Sequence, residues 1–125
     1  MKVAGTVRVP GDKSITHRVL LLAAMARGSS HIKGALTSLD ARSTARVLRQ
    51  LGAGVSPLRS GASTVLRGRG ILRRSAEVLN CGNSGTTTRL LLGLLSAHRF
   101  SATLTGDRSL RRRPMRRVTV PLATM

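Results

Sequence analysis

The chain has 125 residues, 22 of them Lys or Arg and 4 Asp or Glu, for a formal net charge of +18. A hydrophobic content of 41% can supply a core and excludes wholesale disorder, and the length suits one domain or a piece of a larger one. Phe100 with no Trp or Tyr argues against base-stacking nucleic-acid modules, and the lone Cys81 excludes an intrachain disulfide and a multi-cysteine zinc site.

In chain order, Gly5–Val9 is predicted as a first strand, because Val7 and Val9 continue the alternation begun at Val3. Pro10-Gly11 closes it. Ser14–Arg27 carries a long apolar run on good helix formers, with Gly28 as its C-cap. Ser29–Lys33 reads as a short strand. Asp40 is the expected N-cap of a helix running through Leu51, on which Ala41, Ala45 and Leu48 fall on one face. Val55–Leu58 and Ser63–Leu66 form a hairpin across Arg59–Ala62, and Arg67–Arg74 is a polar connection.

Ala76–Leu79 is the next expected strand, followed by a glycine-rich turn, Gly82–Gly85. Ser84 or Thr86 opens a helix through about His98, and Phe100–Leu104 is a strand. Arg108–Arg113 reads as a basic loop, with Pro114 in the first turn of a last helix still under way at Met125. The apolar stretches Val19–Ala26 and Leu90–Leu95 fall far short of a bilayer span, and no secretory signal precedes them. The expected setting is soluble and cytoplasmic.

The chain repeats itself. A shift of 71 positions carries Gly11 onto Gly82, Thr16 onto Thr87, Arg18 onto Arg89, Leu20-Leu21 onto Leu91-Leu92 and Arg42 onto Arg113. The matches follow the order strand, turn, helix, strand, helix. One β-α-β-α-β-β unit, about residues 5–70, and the start of a second, about 76–125, are expected, since such units bury their open faces on each other.

Three segments carry chemistry. In Gly11-Asp12-Lys13-Ser14-Ile15-Thr16-His17-Arg18 a turn opens a helix whose first N–H groups attract anions. Lys13 adds a point charge, Ser14 a hydroxyl and Arg18 a planar fork. In Asn80-Cys81-Gly82-Asn83-Ser84-Gly85-Thr86-Thr87-Thr88-Arg89 the same device recurs. There Gly85 permits close approach of a ligand to the backbone, Asn83 and Thr86 offer neutral hydrogen bonds, and Arg89 offers a cation. In Gly106–Met115 four arginines crowd before a helix, and Arg113 stands next to Pro114 at its start. Three cationic helix starts in a nearly acid-free chain point to a small, multiply anionic ligand.

The pieces PGDKSITHR, SLDARSTARVLRQLGA, NCGNSGTTTRLLLGLL and LTGDRSLRRRPMRRVTVPLATM together resemble the 5-enolpyruvylshikimate-3-phosphate synthase family, also called 3-phosphoshikimate 1-carboxyvinyltransferases. The resemblance implies an α/β (α+β) fold of repeated β-α-β-α-β-β units, cut after about one and a half of them. It implies the N-terminal portion of a longer enzyme, monomeric when full length, that acts in chorismate and aromatic amino-acid biosynthesis. It implies transfer of the enolpyruvyl group from phosphoenolpyruvate to the 5-hydroxyl of shikimate 3-phosphate, with release of phosphate and no metal or organic cofactor.

By the same resemblance Lys13 contacts phosphoenolpyruvate and handles protons, and Lys13, Ser14 and Arg18 bind shikimate 3-phosphate. Gly85 and Arg113 bind phosphoenolpyruvate, and Asn83, Thr86 and Arg89 support the turn. The family's main acid/base carboxylates lie in its distal half, and no acid follows Asp107 here. The chain by itself is therefore expected to be inactive. Two other readings compete: the sister enolpyruvyl transferase acting on UDP-N-acetylglucosamine, whose cysteine Cys81 would have to supply, and a basic protein that binds nucleic acid non-specifically.

Overall fold

The computed structural model describes residues 1–125. Residues 1–12 form no strand, and Val3, Val7 and Val9 remain more than 80% exposed. The Gly5–Val9 strand predicted from their alternation is thus not formed. Alternation specifies a face, but a strand also needs a partner, and this segment pairs with neither sheet.

Helix α1 spans Lys13–Met25, one residue earlier than predicted at its start, with the Asp12 carboxylate accepting from the Ile15 N–H at 2.7 Å. It stops before Gly28, because Arg27 and Gly28 already belong to strand β1, Arg27–Ile32. Strand β3, Thr64–Arg69, pairs antiparallel with β1 from Arg27↔Arg69 to Ile32↔Thr64. This ladder overrides two expectations: a glycine C-cap at Gly28 and a polar connection starting at Arg67. Thr64, Leu66 and Gly68 turn inward while Arg67 and Arg69 point to solvent, so the two arginines are the wet face of a strand. Strand β2 is only Gly54–Val55, and it pairs with the other edge of β3 to give the order β1-β3-β2. Gly68 fits because β3 passes directly beneath the end of α1. A Cβ there would overlap the carbonyl oxygens of Ala26 and Ala23.

Helix α2 spans Leu39–Gln50 and is capped by Ser38, whose Oγ accepts from the Ala41 N–H, not by Asp40 as predicted. Asp40 lies inside the first turn, where a carboxylate is favoured by the helix dipole. The second half is built on strand β4, Leu79–Asn80, which pairs parallel with β5, Leu104–Thr105. Both are shorter than the strands expected over Ala76–Leu79 and Phe100–Leu104. Helix α3, Gly85–Ser96, connects them and starts from a Ser84 cap. The predicted basic loop is partly helical: α4 covers Arg108–Arg111, because the Asp107 carboxylate accepts from the Leu110 N–H at 2.7 Å. Helix α5 covers Arg116–Ala123, so Pro114 precedes it and does not sit in its first turn.

One core joins these parts. Leu20 of α1, Leu48 of α2, Leu66 of β3, Leu79 of β4 and Leu91 of α3 are fully buried, each contributing about 1.5–3 kcal/mol by leaving water. No helix is long and apolar enough to cross a membrane.

Candidate functional site

The start of α1 presents Lys13, Ser14 and Arg18 on its exposed side. Thr16 anchors this turn from beneath, accepting from the Leu36 N–H at 3.0 Å. Arg18 donates to the Ser14 carbonyl at 3.1 Å, so its guanidinium folds back along the first turn. The Lys13 ammonium pairs with the Asp40 carboxylate, which brings the starts of α1 and α2 together. With the lysine half exposed, this pair contributes little to stability, but it fixes where the ammonium sits.

The glycine turn before α3 needs Gly82, which has φ +61 and sits against Ser43 Oγ. Ser84 Oγ caps the helix by accepting from the Thr87 N–H at 3.1 Å. Gly85 is buried, and a Cβ on it would lie 3.0 Å from an Arg89 guanidinium nitrogen and 3.2 Å from one of Arg113. Two cations therefore converge on this backbone. Asn83 holds one of them: its Oδ1 accepts from Arg113 at 2.6 Å, while its Nδ2 donates to Asp107 at 2.5 Å. The Leu110 N–H and the Asn83 amide hold the Asp107 carboxyl below the usual aspartate range. Arg89 also donates to the Pro114 carbonyl at 3.4 Å, and Thr86 lies half-buried in the first turn of α3.

The expected residues thus form two groups, Lys13–Ser14–Arg18 and Asn83–Gly85–Thr86–Arg89–Arg113. Asp40 connects them, since its carboxylate pairs with Lys13 and its carbonyl lies 3.5 Å from Thr87 Oγ1. One closed cavity does not hold both groups. A cleft of about 480 Å³ is lined by Asp40, Arg42, Arg46, Asn83 and Asp107, and Arg113 borders another of about 390 Å³. Asp40 as a partner of Lys13 was missed in the sequence, although an acid in so basic a chain is itself a signal. Cys81 is fully buried, and burial pushes its thiol up despite the opposing pull of Thr88 and Arg46. It is a core residue, unlike a cysteine on a mobile loop.

The family description "EPSP synthase (3-phosphoshikimate 1-carboxyvinyltransferase)" matches residues 1–125. The chain belongs to this family. It is 54% identical over 123 residues to the 3-phosphoshikimate 1-carboxyvinyltransferase of Gluconobacter oxydans (strain 621H), covering 97% of this chain and 27% of that protein. It is 56% identical over 124 residues to the same-named protein of Thermosynechococcus vestitus, covering 97% of this chain and 28% of that one. The solved EPSP synthase from Acinetobacter baumannii superposes with a TM-score of 0.91 at 41% identity, over 97% of this chain and 27% of that chain. The chain thus spans little more than a quarter of the length of these relatives, and over that span its mixed helix and strand architecture is that of EPSP synthase.

Proposed function

We propose that this chain forms the N-terminal part of the substrate cradle of a 3-phosphoshikimate 1-carboxyvinyltransferase. In this reading Lys13, Ser14 and Arg18 receive shikimate 3-phosphate, and Lys13, Gly85 and Arg113 receive phosphoenolpyruvate. The complete enzyme moves the carboxyvinyl group of phosphoenolpyruvate onto the 5-hydroxyl of shikimate 3-phosphate and releases phosphate. Lys13 is the group on this chain placed to handle a proton, and the arginines offset the anionic charge of the two substrates.

The observation that carries this reading is the convergence of Arg89 and Arg113 on the Gly85 backbone, 3.0 and 3.2 Å from where a side chain would begin. A glycine there leaves room for a ligand between two cations and a helix N-terminus. The internal repeat belongs to the same proposal. Residues 5–70 are read as one unit and 76–125 as the start of the next, supported by capped turns opening α1 at Lys13 and α3 at Gly85. The whole protein is read as a cytoplasmic monomer, joined to a distal part that supplies the acid/base carboxylates.

Calorimetric titration with shikimate 3-phosphate at two salt concentrations, with inorganic phosphate as comparator, tests the cradle. The expected result is saturable binding that prefers shikimate 3-phosphate and is lost in Arg18→Ala. Equal affinity for both anions would defeat the reading. Phosphate release from the two substrates is expected to be negligible for this chain alone.

A second reading has its own observation. Arg42, Arg46 and Arg49 of α2 line a cleft of about 460 Å³ together with Arg59, and no carboxylate borders it. Non-specific binding to nucleic-acid phosphates is proposed for this face. It should weaken steeply between low and physiological salt, with no sequence preference.

A further inference from the structure

Beneath the two proposed ligand-facing turns runs a buried chain of hydrogen bonds that crosses three helices. His17 Nδ1 of α1 lies 2.7 Å from Thr44 Oγ1 of α2. Thr44 Oγ1 lies 2.7 Å from Thr87 Oγ1 of α3, and Thr87 Oγ1 lies 2.7 Å from Ser84 Oγ. All four residues are fully buried. We propose that His17, Thr44, Thr87 and Ser84 are positioning residues that lock the first turns of α1 and α3 into one anion-binding platform, with His17 held as the Nδ1–H tautomer. The ligand of that platform rests on the functional reading above.

The direction of the chain follows from proton counting. Each hydroxyl donates one proton. Thr87 gives its proton to Ser84 Oγ, which caps α3 by also accepting the Thr87 N–H. Thr44 must then donate to Thr87, and His17 Nδ1–H must donate to Thr44. Nε2 is left as the bare nitrogen, and it is the ring atom that is buried without a partner. A neutral ring fits its surroundings. Burial pushes the His17 pKa down, Lys13 and Arg18 add to that, and only Asp40 opposes it.

The placement argues for positioning over filling. His17 lies one turn beyond Lys13 and adjoins Arg18, while Thr87 lies two residues beyond Gly85. Thr44 is the joint between the helices, and the Lys13–Asp40 pair leaves the same helix one turn earlier. Apolar packing alone lets helices slide in small steps, whereas a directional chain fixes their relative register. A valine would fill the space of Thr44 equally well, so volume does not account for the hydroxyl.

The test compares the wild-type chain with Thr44→Val, Thr44→Ser and a buried comparator outside the chain of bonds, Thr64→Val. Nitrogen-15 NMR of the His17 ring reads the tautomer, thermal unfolding reads stability, and calorimetry reads affinity for shikimate 3-phosphate. The wild type should show a protonated Nδ1 and a bare Nε2. Thr44→Val should lose that preference and bind about tenfold more weakly, the size of one well-buried hydrogen bond. Thr44→Ser should restore the tautomer and bring affinity within about twofold of wild type, and Thr44→Ala, expected to show the same losses as the valine variant, replaces that one if it fails to fold. Thr64→Val should lower the melting temperature and leave the affinity unchanged. The proposal is overturned by an Nε2–H ring in the wild type. It is equally overturned by unchanged affinity in Thr44→Val, or by an equal loss in Thr64→Val at matched stability. Absence of shikimate 3-phosphate binding by the wild type would instead bring down the functional reading and the platform with it, while the ring tautomer would still report whether the chain of bonds exists.

Discussion

Asn83→Ala separates holding a cation from holding the fold. In the wild type Asn83 bridges Arg113 at 2.6 Å and Asp107 at 2.5 Å, and all three side chains are exposed. Water replaces such bonds readily, so the stability cost should stay under about 1 kcal/mol, a shift of roughly 4 °C or less in Tm for a domain of this size. Helix α4 keeps its Asp107 cap, because Leu110 donates to the other carboxylate oxygen. Arg113 by contrast loses the partner that holds its guanidinium over Gly85. Ordering a long side chain on binding costs about 0.5–1.5 kcal/mol, which predicts a two- to tenfold weaker Kd for phosphoenolpyruvate. Calorimetry and a thermal melt on the same sample check both numbers. An unchanged Kd would refute the claim that Asn83 preorganises Arg113, and a Tm loss well beyond 4 °C would show that the bridge is structural.

Three further outcomes are expected. Gly68→Ala should destabilise by more than about 1–3 kcal/mol, because its Cβ would overlap backbone carbonyls that cannot yield, whereas Gly93→Ala, with open space around it inside α3, should stabilise by about 0.5–1 kcal/mol; urea titration of both variants reads this. Stability should fall as pH drops below 6.5, since His17 has a depressed pKa and the unfolded chain takes up the proton first; the part that Asp107 contributes should persist above 3.8 and disappear as pH falls through its lower folded value, and melts from pH 8 to pH 3 separate the two phases. The Cys81 thiol should react with a thiol reagent only through unfolding, so its labelling rate should track denaturant; fast labelling of the native chain would contradict its burial.

Much of the candidate site is legible in the sequence because its devices are local. A capped turn, a glycine and a cation one helical turn later lie within ten residues, and Lys13, Ser14, Arg18, Asn83, Gly85 and Arg89 all fall on such segments. What could not be read depends on partners distant in the chain. Val7 and Val9 alternate like a strand yet pair with none. Arg67 and Arg69 look like a loop until β1 pairs with them. Asp40 has the composition of a cap but serves Lys13, and Ser38 caps in its place. The contact of Thr44 with both His17 and Thr87 has no signature in one dimension, because it exists only where three helices meet.

The two halves of the chain differ in how their backbones are held, and this sets which part opens first. β1 and β3 share a six-pair antiparallel ladder, flanked by α1 and backed by fully buried Leu20, Leu48 and Leu66. β4 and β5 share two parallel pairs. Amide hydrogen exchange should therefore be slowest along β3 and α2, whereas Leu79–Asn80 and Leu104–Thr105 should exchange through a smaller, separate opening. Arg113 and the Gly82–Asn83 turn sit on that looser half, so a ligand that bridges Lys13 and Arg113 would slow exchange mainly at the β4–β5 pair.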